Sequence, residues 1–397
     1  MVPLNNIKQE KDNASNEPER CKYRADDVIV LLGAGASVEA GLLSSEAMTK
    51  QLESNIASKD EKIARKWKKY DKLYRAVKSA ILYGHHLTAS DNDETITSVN
   101  IEELVNVLTE LAKAESHTIY PFIAAWNMEL TKYGGADFSN LKEFRRDIVN
   151  ELVGSWVNVK NVEDCQYYRN FIKFWDETRS CLRIFSLNYD MCVERACGIE
   201  KICRGFRLTP KANGEMWKTW KDGQMDDGIA EQSSIILYKL HGSLDWRREK
   251  KSRILYCEDS PDPCADIDDY QLIFGTKYKL SYRDPFLYQI SELRKYVAKA
   301  RLIIAIGYGF NDEHINEILG KVLTQKIDSK LISVDYIENF DSFKIDEKKK
   351  FLKKKLDVDE SVLPRIVLTG EGAKKFLESD FNRAYVERML EDDESLF

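Results

Sequence analysis

Seven short apolar runs, rich in β-branched residues, constrain the fold of this chain more than any other feature. None alternates strictly between apolar and polar residues, which is typical of strands buried on both faces of a parallel sheet. Amphipathic helical segments separate several of the runs, for example residues 286–300 and 312–326. The pattern therefore predicts an α/β fold built on a doubly wound, mostly parallel sheet. The runs are residues 28–32, 182–187, 235–240, 271–274, 302–306, 331–334 and 365–369.

The first two runs are far apart, and helical patterns fill most of the chain between them. In residues 60–84, apolar and aromatic residues recur at three- and four-residue steps, as on an amphipathic helix, and residues 100–113 repeat the pattern. Helices are expected to about residue 178, so a helical module is inserted into the sheet domain. The predicted domains are a disordered polar lead-in over residues 1–26, a Rossmann-like domain over 27–56 and 180–397, and the inserted helical module over 57–179.

Composition limits the classes of function. The 397 residues carry a net charge of −6, so nothing global indicates binding to nucleic acid or to a membrane surface. No apolar run reaches the roughly 18 residues of a membrane span, and the N-terminus lacks the apolar segment of a signal peptide. We therefore expect a cytoplasmic protein. The basic face of residues 60–84 is interpreted as solvated, and residues 344–360 as a surface helix or flexible segment. Contact to nucleic acid is the alternative for both.

The cysteines do not predict a metal site. No two of them form a C-x-x-C pair, and the closest spacings, with four, five and six intervening residues, differ from those of zinc ligands. We expect reduced thiols in the core and no metal. The cysteines are Cys21, Cys165, Cys181, Cys192, Cys197, Cys203, Cys257 and Cys264.

A glycine-rich loop follows the first run, in the stretch VIVLLGAGASVEAGL. The dinucleotide fingerprint G-x-G-x-x-G would need a third glycine where Val38 stands. Gly33 and Gly35 are free to adopt positive φ and let a phosphate or ribose approach the backbone. A helix starting near Ser37 would direct its amide groups at that anion. The loop therefore predicts a nucleotide site of a less common kind, and a plain glycine-rich turn is the alternative.

Polar residues and glycines follow the other runs at the points where the predicted strands end. Ligands of open α/β sheets bind beyond these carboxyl ends, so the residues are expected to meet at one edge. Each has a structural alternative: a helix cap for the Asn and Asp, core packing for the His, and a plain turn for the glycines. The residues are Asn188, Tyr189 and Asp190, then His241, Gly242 and Ser243, then Gly307 to Asp312, and finally Asp335.

These side chains suit cleavage of the N-glycosidic bond of a dinucleotide. Breaking the nicotinamide–ribose bond develops oxocarbenium character on the ribose. Asn188 can position the ribose hydroxyls or the attacking water, and His241 can take a proton from either. Asp190 can accept hydrogen bonds from the leaving carboxamide, and Asp335 can bind the adenosine ribose.

Five motifs in this order resemble the sirtuin-like fold, and specifically its bacterial NAD-hydrolysing branch: GAGASVEAGL, FSLNYD, KLHGSLDW, LIFGT and AIGYGFNDEHI. The helical region carries only the looser NIEELVNVL. The resemblance implies NAD as the substrate and Asn188 and His241 as the catalytic residues. It also implies that the pyrophosphate of NAD is bound by Gly33, Ala34, Gly35 and Ser37. By the same resemblance, the nicotinamide is bound by Asp190, and the adenosine by Gly307, Tyr308 and Gly309.

Two departures from deacylating sirtuins argue against acyl-lysine as the substrate. The paired C-x-x-C motifs of their zinc module are missing, and GLLSSEA stands where they have a G-I-P-x-F-R run. The resemblance implies an NAD glycohydrolase that yields nicotinamide and ADP-ribose or cyclic ADP-ribose. It further implies a gated effector of anti-phage defence, active as a homo-oligomer or with a co-encoded HerA-type ATPase, Argonaute-like protein or sensor ATPase. The alternatives are a non-catalytic NAD or ADP-ribose sensor and a protein deacylase or ADP-ribosyltransferase.

Overall fold

A computed structural model describes residues 23–88, 98–112, 128–135, 138–211, 213–221, 225, 233–260, 270–274 and 284–391 of this protein. Most of the predicted N-terminal lead-in therefore lies outside the described residues. The strands are β1 (Val28–Leu32), β2 (Leu182–Ser186), β3 (Ile202–Cys203), β4 (Phe206–Pro210), β5 (Met216–Trp220), β6 (Ile235–Lys239), β7 (Gly242–Arg248), β8 (Leu255–Cys257), β9 (Tyr270–Leu272), β10 (Leu302–Ile306), β11 (Lys330–Val334) and β12 (Ile366–Leu368).

Seven of these strands form a parallel sheet in the order β12-β11-β10-β1-β2-β6-β3. The central strand β1 shows why its sequence does not alternate. Val28, Val30 and Leu32 face one apolar core, and Ile29 and Leu31 face the other. Both faces of the strand are thus covered, and apolar residues are favoured at every position. The predicted α/β class with a mostly parallel sheet is confirmed.

Helices cover both faces of the parallel sheet and fill the stretch between β1 and β2. The chain enters that stretch through a 3-10 helix at Ala34–Ala40. The α-helices are α1 (Ser45–Ala57), α2 (Glu61–Trp67), α3 (Asp71–Thr88), α4 (Ile101–Ala112), α5 (Met128–Gly134), α6 (Ser139–Glu151), α7 (Asn170–Thr178), α8 (Cys192–Cys197), α9 (Phe286–Lys299), α10 (Glu313–Gln325), α11 (Ser342–Leu356), α12 (Ala373–Lys375) and α13 (Arg383–Glu391).

Whereas α7 packs in the core of the parallel sheet, helices α1 to α6 share an apolar core of their own. Leu52 of α1, Leu104 of α4 and Phe144 of α6 are fully buried in it. Tyr189 and Leu244, which belong to the sheet domain, also pack into this helical core. The helical module is therefore fixed to the sheet at the carboxyl end of β2. The domain boundaries remain our proposal.

A second sheet was not anticipated from the sequence. It is antiparallel, has five strands in the order β4-β5-β8-β7-β9, and lies between β3 and α9 in the chain. The run at residues 271–274 was expected in the parallel sheet, which is wrong: β9 pairs with β7 here. Residues 270–272 are only half-buried, and an apolar run alone does not identify the strand with which it pairs.

Two helix predictions also differ from the structure. The amphipathic pattern of residues 60–84 is divided into α2 and α3 by a 3-10 turn at Lys68–Tyr70. The helix expected to start near Ser37 is instead the short 3-10 segment, and the first α-helix begins at Ser45, capped by Ser44. None of the helices in the described residues combines the length and apolar character needed to cross a membrane.

Candidate functional site

A cavity of about 390 Å³ lies at the carboxyl ends of five neighbouring strands of the parallel sheet: β11, β10, β1, β2 and β6. The volume is in the range of small-molecule sites. Gly242, Ser243 and Phe310, which were also expected at this edge, do not line it. The residues given a role toward NAD in the sequence analysis all line it, although these roles remain predictions. They are Gly33, Ala34, Gly35, Ser37, Asn188, Asp190, His241, Gly307, Tyr308, Gly309 and Asp335.

The glycines of the two loops are required by close backbone contact. A Cβ on Gly33 would come within 2.6 Å of the carbonyl oxygen of Gly307, and one on Gly35 within 2.9 Å of the same atom. Gly33 has a φ of −109°, and Gly35 also lies outside the left-handed region. Neither glycine therefore uses the freedom to adopt positive φ. Gly307 is the residue with positive φ, at +60°.

The amides of the first glycine loop are largely used within the protein. Gly33 donates to the carbonyl oxygen of Ile306 at 3.0 Å and Gly35 to that of Gly307 at 2.9 Å. An anion at this site would therefore not be held by those two amides. The beginning of α1 lines the same cavity through Ser44, Ser45 and Glu46. The first α-helix at the cavity is thus α1, and it starts later than the sequence suggested.

Asn188 is held in one orientation by two hydrogen bonds. Its side-chain amide donates to the carbonyl oxygen of Gly33 at 2.9 Å and to the hydroxyl of Ser37 at 3.3 Å. The residue is 7% exposed, and its side-chain oxygen Oδ1 is buried and accepts no hydrogen bond from any described residue. A buried acceptor without a donor is unfavourable, so this oxygen is suited to receive a hydroxyl or a water.

Ser37 and Asp190 connect Asn188 to the surrounding backbone. The Ser37 hydroxyl donates to Oδ2 of Asp190 at 2.8 Å and lies 3.0 Å from the hydroxyl of Tyr168. The other carboxylate oxygen of Asp190 accepts from the amide of Cys192 at the start of α8, at 2.9 Å. Asp190 therefore also caps a helix, which the sequence analysis gave as the alternative to a ligand-binding role. Both of its oxygens have protein partners while it lines the cavity.

His241 follows β6 and is paired with an acidic residue from another strand end. Its ring nitrogen Nε2 lies 3.3 Å from Oδ2 of Asp312, and the two side chains are 5% and 4% exposed. The ring also lies against Tyr189, with 6.4 Å between the ring centres. The sequence placed Asp312 near this edge but gave it no role.

The helical module contributes to the cavity through Asn100, Glu102 and Val157. The Tyr189 hydroxyl lies 3.2 Å from Glu102 and donates to the carbonyl oxygen of Ile273 at 2.6 Å. Burial raises the pKa of Tyr189 well above its ordinary value, and the Glu102 carboxylate raises it further. The phenol therefore stays protonated and remains a donor that ties this module to the strand ends.

Sequence reasoning missed the cavity residues that come from the helical module and from the turn before α1. Only the looser motif NIEELVNVL, which contains Asn100 and Glu102, gave a signal for any of them. The missed residues are Leu42, Leu43, Ser44, Ser45, Glu46, Met48, Asn100, Glu102, Val157 and Leu187.

Tyr308 and Asp335 line the cavity but have partners elsewhere. The Tyr308 hydroxyl donates toward Asn316 in α10, with 2.9 Å between oxygens, and burial raises its pKa well above the ordinary value. Asp335 pairs with Lys348 of α11 at 2.6 Å. The carboxylate of Asp335 is 34% exposed, so it stays accessible to a ligand hydroxyl.

One group in the described residues has the donor atoms of a metal site: Asp245, Cys257 and Asp259 in the antiparallel sheet. The guanidinium of Arg204 lies against both carboxylates, 2.7 Å from Asp245, and Lys218 also pairs with Asp259. Two cationic side chains thus occupy the positions around these carboxylates. The absence of a metal remains a prediction.

Residues 182–356 match the family model described as the SIR2-like domain. The matched part begins at β2 and ends with α11, so it contains Asn188, His241 and Asp312. The glycine loop after β1 lies outside it. A comparison with curated proteins found no match.

Solved structures of Sir2 homologues are also similar to this chain. A Sir2 homologue–NAD complex is 12% identical, with a TM-score of 0.37, over 93% of this chain and 90% of the other. A mutant Sir2 homologue bound to 2'-O-acetyl ADP ribose is 13% identical, with a TM-score of 0.38, over 93% of both chains.

Proposed function

We propose that this chain, whose residues 182–356 match the SIR2-like domain model, is a sirtuin-like enzyme that cleaves NAD at the nicotinamide–ribose bond. The products are nicotinamide and ADP-ribose or its cyclic form. The observation that carries the proposal is the fixed Asn188, whose buried Oδ1 lacks a donor and lines the same cavity as His241. An amide acceptor beside an imidazole base is the combination that a glycosidic cleavage needs.

In the proposed reaction, the bond between the ribose C1′ and the nicotinamide nitrogen breaks, and its electron pair stays on the nicotinamide. The positive charge that develops on the ribose is relieved when an oxygen nucleophile bonds to C1′. Asn188 holds a ribose hydroxyl or the attacking water through Oδ1, and His241 accepts the proton that this oxygen loses. Attack by water gives ADP-ribose, and attack by a hydroxyl of the adenosine ribose in the same molecule gives a cyclic variant of ADP-ribose, with His241 taking the proton in both cases.

The Asn188→Ala and His241→Ala variants test the proposal. We expect wild type to release nicotinamide from NAD, measured by chromatography, and both variants to lose at least about a hundredfold of the rate. His86→Ala and Asn140→Ala, at exposed positions in α3 and α6, are the matched controls and should retain full activity. Equal rates in wild type and both cavity variants would contradict the proposal.

A non-catalytic NAD sensor is the competing outcome. It would show binding of NAD by calorimetry with no nicotinamide release, across protein concentrations and with any co-encoded partner added. Acyl-peptide-dependent release would instead indicate a deacylase. Release with water as the only acceptor supports the glycohydrolase.

We further propose that the activity is gated, since uncontrolled NAD cleavage would empty the NAD pool of its own cell. The cavity wall includes residues of α1 and α4 as well as strand ends. A second copy of the chain, or a partner such as a HerA-type ATPase, that shifts these helices would change the shape of the cavity. Full turnover by the isolated monomer, independent of concentration and partner, would contradict gating.

A further inference from the structure

We infer that Asp312 is a positioning residue for His241, which fixes its tautomer and stabilises its protonated form. The inference rests on the proposed function, in which His241 is the base. Both side chains are nearly fully buried, and Oδ2 of Asp312 lies 3.3 Å from Nε2 of His241. A carboxylate at one ring nitrogen favours the tautomer that carries the proton there. The lone pair then resides on Nδ1.

Asp312 is itself fixed by the helix that follows it. Its other oxygen, Oδ1, accepts from the amides of His314 and Ile315 at 3.2 and 3.3 Å, as the N-cap of α10. The backbone carbonyl of Asp312 lies 3.2 Å from the Tyr308 hydroxyl. One carboxylate oxygen therefore anchors the residue to α10 while the other faces the imidazole.

The pair would act in two ways. Since the imidazole is kept in one orientation, no free energy is spent on ordering it during the reaction. When His241 accepts a proton, the imidazolium forms beside a carboxylate in a buried site, where opposite charges attract strongly. The other titratable groups near His241 are Tyr189, which contacts its ring, and five that line the same cavity: Glu46, Glu102, Asp190, Tyr308 and Asp335.

The structural alternative is that Asp312 serves only as a helix cap, and Asp312→Asn separates the two roles. Asn is as good an N-cap as Asp, so its Oδ1 keeps the two amide partners while the charge is removed. Its amide NH₂ would then face Nε2 of His241 and favour the opposite tautomer. Asp60→Asn is the matched control, because Oδ1 of Asp60 caps α2 in the same way, through Lys62 and Ile63.

The first readout is NMR of labelled histidines, with His241 assigned by its loss in the His241→Asn variant. In Asp312→Asn we expect the pKa of His241 to fall by about one unit or more and the tautomer signature to reverse. The Asp60→Asn variant should leave both unchanged. Unchanged pKa and tautomer in Asp312→Asn would overturn the inference, whatever the activity.

The second readout is the pH profile of nicotinamide release. A lower His241 pKa moves the acidic limb of the profile of Asp312→Asn to lower pH, with kcat reduced roughly tenfold to a hundredfold and KM little changed. An unaltered profile and rate would also contradict the inference. If wild type releases no nicotinamide but the NMR changes occur, the pairing stands and the proposed function fails.

Discussion

Gly307 packs directly against Gly35, with no room for a side chain between the two loops. A Cβ on Gly307 would lie 2.3 Å from the carbonyl carbon of Gly35 and 2.0 Å from the amide nitrogen of Ala36. The amide of Gly35 donates to the carbonyl oxygen of Gly307 at 2.9 Å. The carboxyl ends of β1 and β10 are thereby held in backbone contact at one side of the cavity.

The Gly307→Ala variant should therefore lose both stability and function. Its φ of +60° disfavours any residue with a Cβ, and the overlap with Ala36 forces the loops apart. We expect a fall of about 2 kcal/mol or more in the free energy of unfolding and a loss of nicotinamide release. Gly84→Ala is the control. Nothing lies within 4 Å of a Cβ there, in α3, and the change should stabilise by up to about 1 kcal/mol. Equal stability of both variants would refute this account of the loop.

The Tyr189→Phe variant tests the connection between the helical module and the strand ends. Removing the hydroxyl leaves the carbonyl oxygen of Ile273 without its 2.6 Å donor and takes a partner from Glu102. We expect the free energy of unfolding to fall by about 1–3 kcal/mol and nicotinamide release to decrease. Tyr83→Phe, at a residue 65% exposed, should have no effect on either quantity. Chemical denaturation and the chromatographic assay measure the two effects.

Arg204 should be essential to the antiparallel sheet. It is buried between Asp245 and Asp259, and Arg204→Ala would leave the fully buried Asp245 carboxylate without its cation. We expect a loss of roughly 3–5 kcal/mol in the free energy of unfolding. Arg179→Ala breaks an exposed pair with Asp176 and should cost less than about 1 kcal/mol. If Arg204→Ala unfolds no more readily than Arg179→Ala, the buried pair contributes little.

Glu194 predicts a pH dependence of stability. It is 1% exposed in α8, and burial raises the pKa of its carboxyl, only partly offset by Lys239 at 3.9 Å. Because the folded-state pKa lies above the unfolded one, the folded protein binds more protons between the two values. Wild-type stability should therefore fall relative to Glu194→Gln as pH rises from about 4.5 through the folded-state pKa, and then level off. Denaturation of both proteins across this range measures the difference, and a constant difference would contradict the prediction.

Much of the parallel sheet was predictable because each strand carries its own signal. The runs at 28–32 and 302–306 match β1 and β10 residue for residue, since a strand buried on both faces must be apolar throughout. The same rule predicted a strand at residues 271–274 but not the sheet to which this strand belongs. Pairing depends on the fold around a strand, and a short run does not encode its partner.

The candidate site was likewise predictable from the sequence only in part. Asn188, His241 and the glycines follow strands at the edge where parallel strands end, so the sequence alone indicated that they meet. What the sequence could not give was the set of contacts that fix them. The closeness of Gly307 to Gly35, of Asp312 to His241 and of Glu102 to Tyr189 arises between segments far apart in the chain. These contacts exist only because packing of the sheet, its loops and the helical module brings those segments together. The sequence thus determined which side chains reach the edge of the sheet, and the tertiary structure decided which of them touch.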